Sequence, residues 1–401
     1  MKDSKTRLTR EGAGGIMKEK KEGAGMRVLV AIDSFKGSLS SLRAGDAARE
    51  GILRAIPDAE VEVAALADGG EGTLDAILSA GGERIALDVT GPLGETVRAE
   101  YGILSGRGLA VIEMAAAAGL PLVPEAKRNP LDTTTYGVGE LVADALARGC
   151  RRILLGIGGS ATNDGGVGML SALGYRFLDG EGREIPRGAI GLRSLREIDV
   201  RGALPALSEC ILEVASDVDN PLCGPRGCSA VFGPQKGATP ESVSDMDAWL
   251  ASYAMLTASV FGRNFESTPG AGAAGGMGFA CLAYLGGTLR PGVGLVIEAT
   301  GLRERIRRAD LVITGEGRLD AQSAMGKAPV GVARLAKEYG KTVIALAGSV
   351  GDGADACIGA GIDAYFPILA RPSSLAEAMD SETAARNLAR TAEQVVRLLG
   401  R

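Results

Sequence analysis

The chain begins and ends with the same alternation, and that symmetry restricts its fold more than any other feature. RVLVAI leads into a helical segment with Leu42, Ile52, Leu53 and Ile56 on one face, followed by VEVAALA and TLDAILSA, which makes two βα units. From about residue 309, ADLVIT, APVGVARLAKEYG, TVIALAG, a short helix near 353–360, DAYFPI and an amphipathic helix ending VVRLLG add about three more. Two units of about 60 residues are too small to bury a core alone, whereas five strands from both chain ends make one normal doubly wound sheet. The expected fold class is therefore α/β: a discontinuous doubly wound domain, residues 26–88 plus 292–401, interrupted by an insert, residues 89–291, that mixes strands, glycine loops and helices. Within the insert, TGPLGETVRAEYGIL reads as a hairpin. Residues 1–25 mix charges and glycines and read as a disordered N-terminal extension.

Composition narrows the function. The formal charge of −5 offers no basis for wrapping a nucleic acid. No apolar run approaches the roughly 18 residues of a membrane helix, and the scattered cysteines, without a CxxC, suit a reducing cytoplasm. The chain has no histidine. Ser-His-Asp hydrolysis, phosphohistidine intermediates and His-ligated metals are thereby excluded, and acid, base and metal work falls to Asp, Glu and Lys.

In a parallel sheet the C-terminal strand ends share one edge, where ligands bind, so residues just after each apolar run are the candidates. They are Asp33-Ser34-Phe35-Lys36 after RVLVAI, Asp68-Gly69-Gly70-Glu71 after VEVAALA, and Glu316-Gly317-Arg318-Leu319-Asp320 after ADLVIT. Similar punctuation recurs in the insert: Gly158, Gly159, Ser160, Asn163 and Asp164 after RRILLGI, Asp217 and Asn220 after CILEVAS, then Lys236, and Gly270, Gly272 and Gly275 ahead of MGFACLAYLGG. Successive amides on such residues can turn inward as a phosphate or carboxylate cradle; the competing reading is close packing between backbones.

Two nucleotide motifs compete with this. Gly270–Gly275 matches GxGxxG, but ESTP and not a strand precedes it. Gly156–Ala161 does follow a strand as GxGxxA, with Asp179 about 20 residues on, which keeps an NAD(P)-dependent oxidoreductase as the alternative; Asn163, Asp164, Gly165 and Gly166 then fall where its helix should run. A Walker A loop is absent. Phosphoryl transfer needs cations and amides on phosphates, carboxylates on Mg²⁺ and a base near the attacking hydroxyl, and these loops carry each kind of group.

With these residues in place, the chain from Met26 to its last helix resembles the type I glycerate kinases. The resemblance runs in order through DSFKGSLS (33–40), LADGGEGT (66–73), VTGPLGE (89–95), IEMAAAAGL (112–120), IGGSATNDGG (157–166), ASDVDNPLCGPRG (215–227), FGPQKGA (232–238), GAGAAGG (270–276), LVITGEGRLDAQS (311–323) and GKAPVGVA (326–333). It implies two domains, a Rossmann- or flavodoxin-like doubly wound domain from both termini carrying an inserted second α/β domain. It also implies ATP and Mg²⁺ as phosphoryl donor, D-glycerate as acceptor and 2-phosphoglycerate as product; phosphorylation at the 3-hydroxyl is the alternative that the sequence leaves open. It departs from the family at Ala324-Met325, where many relatives have a histidine. On residue chemistry, Asp33 or Asp68 is the expected base, Lys36 and Lys236 the neutralisers of phosphate charge, Asp217, Glu316 and Asp320 the metal ligands, and the remaining polar and glycine positions the substrate and phosphate contacts.

Overall fold

A computed structural model describes residues 25–104 and 106–399; the predicted disordered extension lies almost wholly outside the described residues. In chain order the strands are β1 (Arg27–Ile32), β2 (Glu60–Ala65), β3 (Glu83–Thr90), β4 (Thr96–Leu104), β5 (Leu109–Glu113), β6 (Arg152–Gly156), β7 (Arg176–Leu178), β8 (Glu197–Asp199), β9 (Ile211–Ala215), β10 (Thr288–Arg290), β11 (Leu311–Leu319), β12 (Thr342–Val350) and β13 (Ala364–Pro367).

Both chain ends build one parallel sheet in the order β13-β12-β11-β1-β2. Counted within this sheet alone the order is 2-1-3-4-5, the flavodoxin-like winding, and it reverses between β1 and β11. Alternate residues of β1 feed opposite faces. Val28, Val30 and Ile32 pack under helices Ser41–Ala55 and Ser381–Leu399, while Leu29 and Ala31 pack under Leu302–Arg308 and Ala328–Glu338. The first helix does not bury Leu42, which is 40% exposed; it turns a stripe of small residues and Ile52 inward instead. The reason is proximity: a Cβ on Gly51 would come within 1.9 Å of the Ala389 carbonyl oxygen, so the two helices touch backbone to backbone.

The second sheet runs β10-β9-β6-β5-β4-β3, parallel from β10 to β5 and antiparallel beyond, and β7 pairs with β8 apart from it. The expected boundary at residue 88 falls inside β3, whose eight residues pair with β4 in this second sheet. The chain therefore crosses between the sheets after Ala65 and before Glu83, and Thr90 and Thr96 close the hairpin. A shared apolar cluster fixes one sheet against the other: Ala65, Ala67, Leu74 and Ile77 from the first, Val111 and Leu154 from the second, Leu295 and Val296 from the returning helix Gly292–Thr300. Beside it the two backbones meet at glycines, where a Cβ on Gly69 would stand 2.7 Å from the Ala215 Cβ and one on Gly292 would stand 1.9 Å from the Asp68 carbonyl oxygen.

Candidate active site

The C-terminal ends of β1, β2, β6, β9 and β11 face one cleft at this seam, which includes the switch point of the first sheet. Asp33 leaves β1 with its own amide bonded to the Gly315 carbonyl of β11 at 2.8 Å, which pins the loop. Its Oδ1 accepts from the Ser34 amide at 2.6 Å, leaving Oδ2 for another partner. Asp33 is only 7% exposed, and burial, with Asp68 and Glu316 nearby, raises its carboxyl to about 7. Asp68 sits in its turn with Oδ1 accepting from the Gly70 amide at 3.1 Å. Glu316 is buried, burial raises its carboxyl also, and its Oε1 has no hydrogen-bond partner.

These three acids, predicted from loops far apart in sequence, are thus brought together. With Ser34, Lys36, Arg318, Asp320 and Lys327 they line a hollow of about 550 Å³. Lys36 and Asp68 also face an adjoining hollow of about 490 Å³, lined on its far side by Gly158, Gly159, Ser160, Asp217 and Lys236, with Gly69, Gly70 and Glu71 between. Asn220 borders a larger groove that shares Asp68 and Asp217.

Other predicted residues serve the scaffold. Asp164 is 1% exposed and accepts from the Thr135 amide and hydroxyl at 2.9 Å, the Gly166 amide at 3.1 Å and the Gly168 amide at 3.2 Å, so it organises the turn and lines neither of these two hollows. Asn163 is fully buried, its amide donating to Ser229 Oγ at 2.8 Å. Gly270, Gly272 and Gly275 are buried against Leu289, Pro221 and Thr162; a Cβ on Gly275 would lie 2.1 Å from the Thr162 carbonyl oxygen. Backbone packing therefore replaces the expected anion cradle at 270–275. The three expected metal ligands are separately employed. Asp217 Oδ1 accepts from the Gly292 amide at 3.1 Å, Asp320 caps the helix Ala321–Ala324 through the Gln322 amide at 2.9 Å, and Glu316 keeps an unpartnered Oε1 in the hollow it shares with Asp33, Asp68 and Asp320. Among the described residues no three His, Cys, Asp or Glu side chains gather closely enough to hold a metal ion.

The dinucleotide alternative loses its geometric basis, because after Gly156 the chain stays irregular until the helix Val167–Ala172, and a Cβ on Gly156 would meet the Gly69 carbonyl oxygen at 2.6 Å. Two further residues bear on the site, and of these Glu113 was not singled out. Lys327 enters the cleft from the loop before helix Ala328–Glu338. Glu113, ending β5, accepts from the Leu74 amide at 2.7 Å and so fixes the helix behind the Asp68 turn. An acid closing the run LAVIE was the available signal.

Comparison with known proteins agrees with this architecture. The model of the glycerate kinase family matches residues 28–400. A glycerate kinase of Halalkalibacterium halodurans is 50% identical over 368 residues, covering 90% of this chain and 97% of its own. A glycerate 2-kinase of Escherichia coli is 47% identical over 373 residues, covering 91% and 98%. The crystal structure of a protein described as a glycerate kinase 2 from Salmonella typhimurium LT2 superposes with a TM-score of 0.85 at 47% identity, covering 94% of this chain and 98% of that one. The chain belongs to the glycerate kinase family.

Proposed function

We propose that this enzyme transfers the γ-phosphoryl group of ATP to the 2-hydroxyl of D-glycerate, giving 2-phosphoglycerate and ADP. The observation that carries the reading is the meeting of Asp33, Asp68 and Glu316 with Lys36 and Lys327 at the switch point. The names of the relatives supply the acceptor, and the Escherichia coli relative's name supplies the position on it.

The hydroxyl must give up its proton as its oxygen bonds to the γ-phosphorus and the bond to the ADP oxygen breaks. Asp33 Oδ2 takes that proton. A desolvated carboxyl raised to about 7 is a stronger base than an exposed one and is still largely ionised at slightly alkaline pH. Asp68 orients the hydroxyl from the adjoining turn, and Lys36, facing both hollows, balances charge on the transferring group. Glu316 fits a magnesium ion by its buried, unpartnered Oε1. Since no three acids among the described residues gather closely enough to hold a metal ion, the protein would contribute Glu316 and Asp68, and nucleotide and water the remaining ligands, as is usual for Mg²⁺. Bound there, the ion would neutralise nucleotide phosphate charge. ADP release with ATP, Mg²⁺ and a panel of hydroxy acids tests the reading, and phosphorus NMR of the product separates the 2- from the 3-position. Turnover of D-glycerate to 2-phosphoglycerate is expected; ATP turnover only with other acids, or none, refutes the proposal.

A further inference from the structure

The hollow on the second-sheet side of Asp68 differs from its neighbour in having a buried ammonium in its wall. Arg318, Lys327 and Lys36 line the neighbouring hollow with Asp33, Asp68, Glu316 and Asp320, and none of its three cations is buried as an ammonium held by protein acceptors. The ammonium on the far wall of the smaller hollow is Lys236, which is 2% exposed, facing Asp68, Glu71 and Asp217. Its Nζ donates to the Thr162 carbonyl at 2.6 Å and to Ser160 Oγ at 2.8 Å. An ammonium has three N–H donors, so one is left. Ser160 Oγ accepts from Lys236, so its own hydroxyl proton is free to donate as well. Two donors on one wall match the two oxygens of a carboxylate, and acids on the other wall match hydroxyl donors.

We infer that Lys236 and Ser160 form the subsite that binds the carboxylate of a small hydroxy acid, with the acid's hydroxyls turned toward Asp68. This assignment rests on the kinase reading and moves Lys236 from phosphate neutralisation to acceptor recognition. Lys236 and Lys36 stand in this hollow beside three carboxylates, and an acid bearing one charge and two hydroxyls finds a partner there for each group. The volume of about 490 Å³ admits a three-carbon acid with room for the transferred group. Burial lowers the Lys236 ammonium to about 8, with Cys228 and Asp164 opposing the fall, so the side chain is charged at neutral pH. Phe232, Leu120 and Ile157 complete the hollow with apolar surface.

The test compares Lys236→Met and Ser160→Ala with the unaltered protein. Steady-state kinetics gives KM for D-glycerate and for ATP separately, calorimetry measures D-glycerate binding without turnover, and thermal melts establish that each variant is folded. The KM and dissociation constant for D-glycerate should rise about 100-fold in Lys236→Met and about 10-fold in Ser160→Ala, the effect of losing a charged and a neutral hydrogen bond, while the KM for ATP moves less than about twofold. If both variants bind D-glycerate as the unaltered protein does, or if KM for ATP carries the loss, the inference falls while the kinase reading stands. Should Lys236→Met not fold, Ser160→Ala decides alone: unchanged D-glycerate binding overturns the inference. Absence of D-glycerate turnover by the unaltered protein would refute the kinase reading, and absence of calorimetric binding would refute the subsite as well.

Discussion

Replacing Asp33 with asparagine should abolish turnover and yet stabilise the protein, by an amount that depends on pH. The carboxyl titrates near 3.8 in an unfolded chain and at about 7 in the native one, because burial and the neighbouring Asp68 and Glu316 disfavour its charge. Between those values the native state holds a proton that the unfolded state has released. Stability therefore falls as pH rises through the window and is level above it. At about 1.4 kcal/mol per pH unit, the loss is roughly 1.5 kcal/mol by pH 5 and about 4 kcal/mol by pH 8. Asparagine is neutral at every pH and can still accept from the Ser34 amide, so Asp33→Asn should recover that loss. Denaturant melts of both proteins at pH 5 and pH 8, read as midpoint and slope, measure the difference. The expected outcome is a gain at pH 8 larger than that at pH 5 by about 2.5 kcal/mol, together with at least a hundredfold fall in kcat. Equal gains at the two pH values, or a loss at pH 8, would refute the assignment of Asp33 as a desolvated, destabilising base.

Other perturbations separate machinery from scaffold. Lys36→Met should lower kcat about a hundredfold with little change in melting temperature, as expected of a cation acting on developing charge; steady-state kinetics and a melt check both. Asp164→Ala removes the acceptor of four hydrogen bonds in the interior and should cost about 3–5 kcal/mol, measured by urea titration, with near-normal kcat in the folded fraction. Gly69→Val adds a side chain at φ +93°, where its Cβ would stand 2.8 Å from the Gly292 Cα. A loss of about 3 kcal/mol or more, with KM values raised because the seam is forced apart, is expected from denaturation and kinetics together.

The acids of the first sheet were legible because parallel strands impose a common edge: an apolar run followed by Asp33, Asp68 or Glu316 announces both the element and the rim on which its last residue stands. The glycine stretches were not legible to the same degree. A bare amide can meet a ligand or another backbone, and only the fold shows that Gly275 lies on Thr162 and Gly69 on Ala215, drawing the two sheets together. Asp164 misled for a similar reason, since its donor Thr135 lies 29 residues away, beyond any local pattern. The helix Ser41–Ala55 packs by small residues, so counting large apolar ones placed Leu42 inward when it faces out. The boundary near residue 88 was set where the βα alternation gives way to the hairpin segment, whereas pairing with β4 commits all of β3 to the second sheet.

The pH dependence of kcat/KM for D-glycerate tests the central claim most directly, because it reports the ionisation of the free enzyme's essential base. The account predicts a single-proton acidic limb, with activity halved near pH 7 and falling tenfold for each pH unit below, as Asp33 takes up its proton. A profile flat from pH 8 down to pH 5 would contradict it, since no carboxyl that titrates near 7 would then be accepting the substrate's proton.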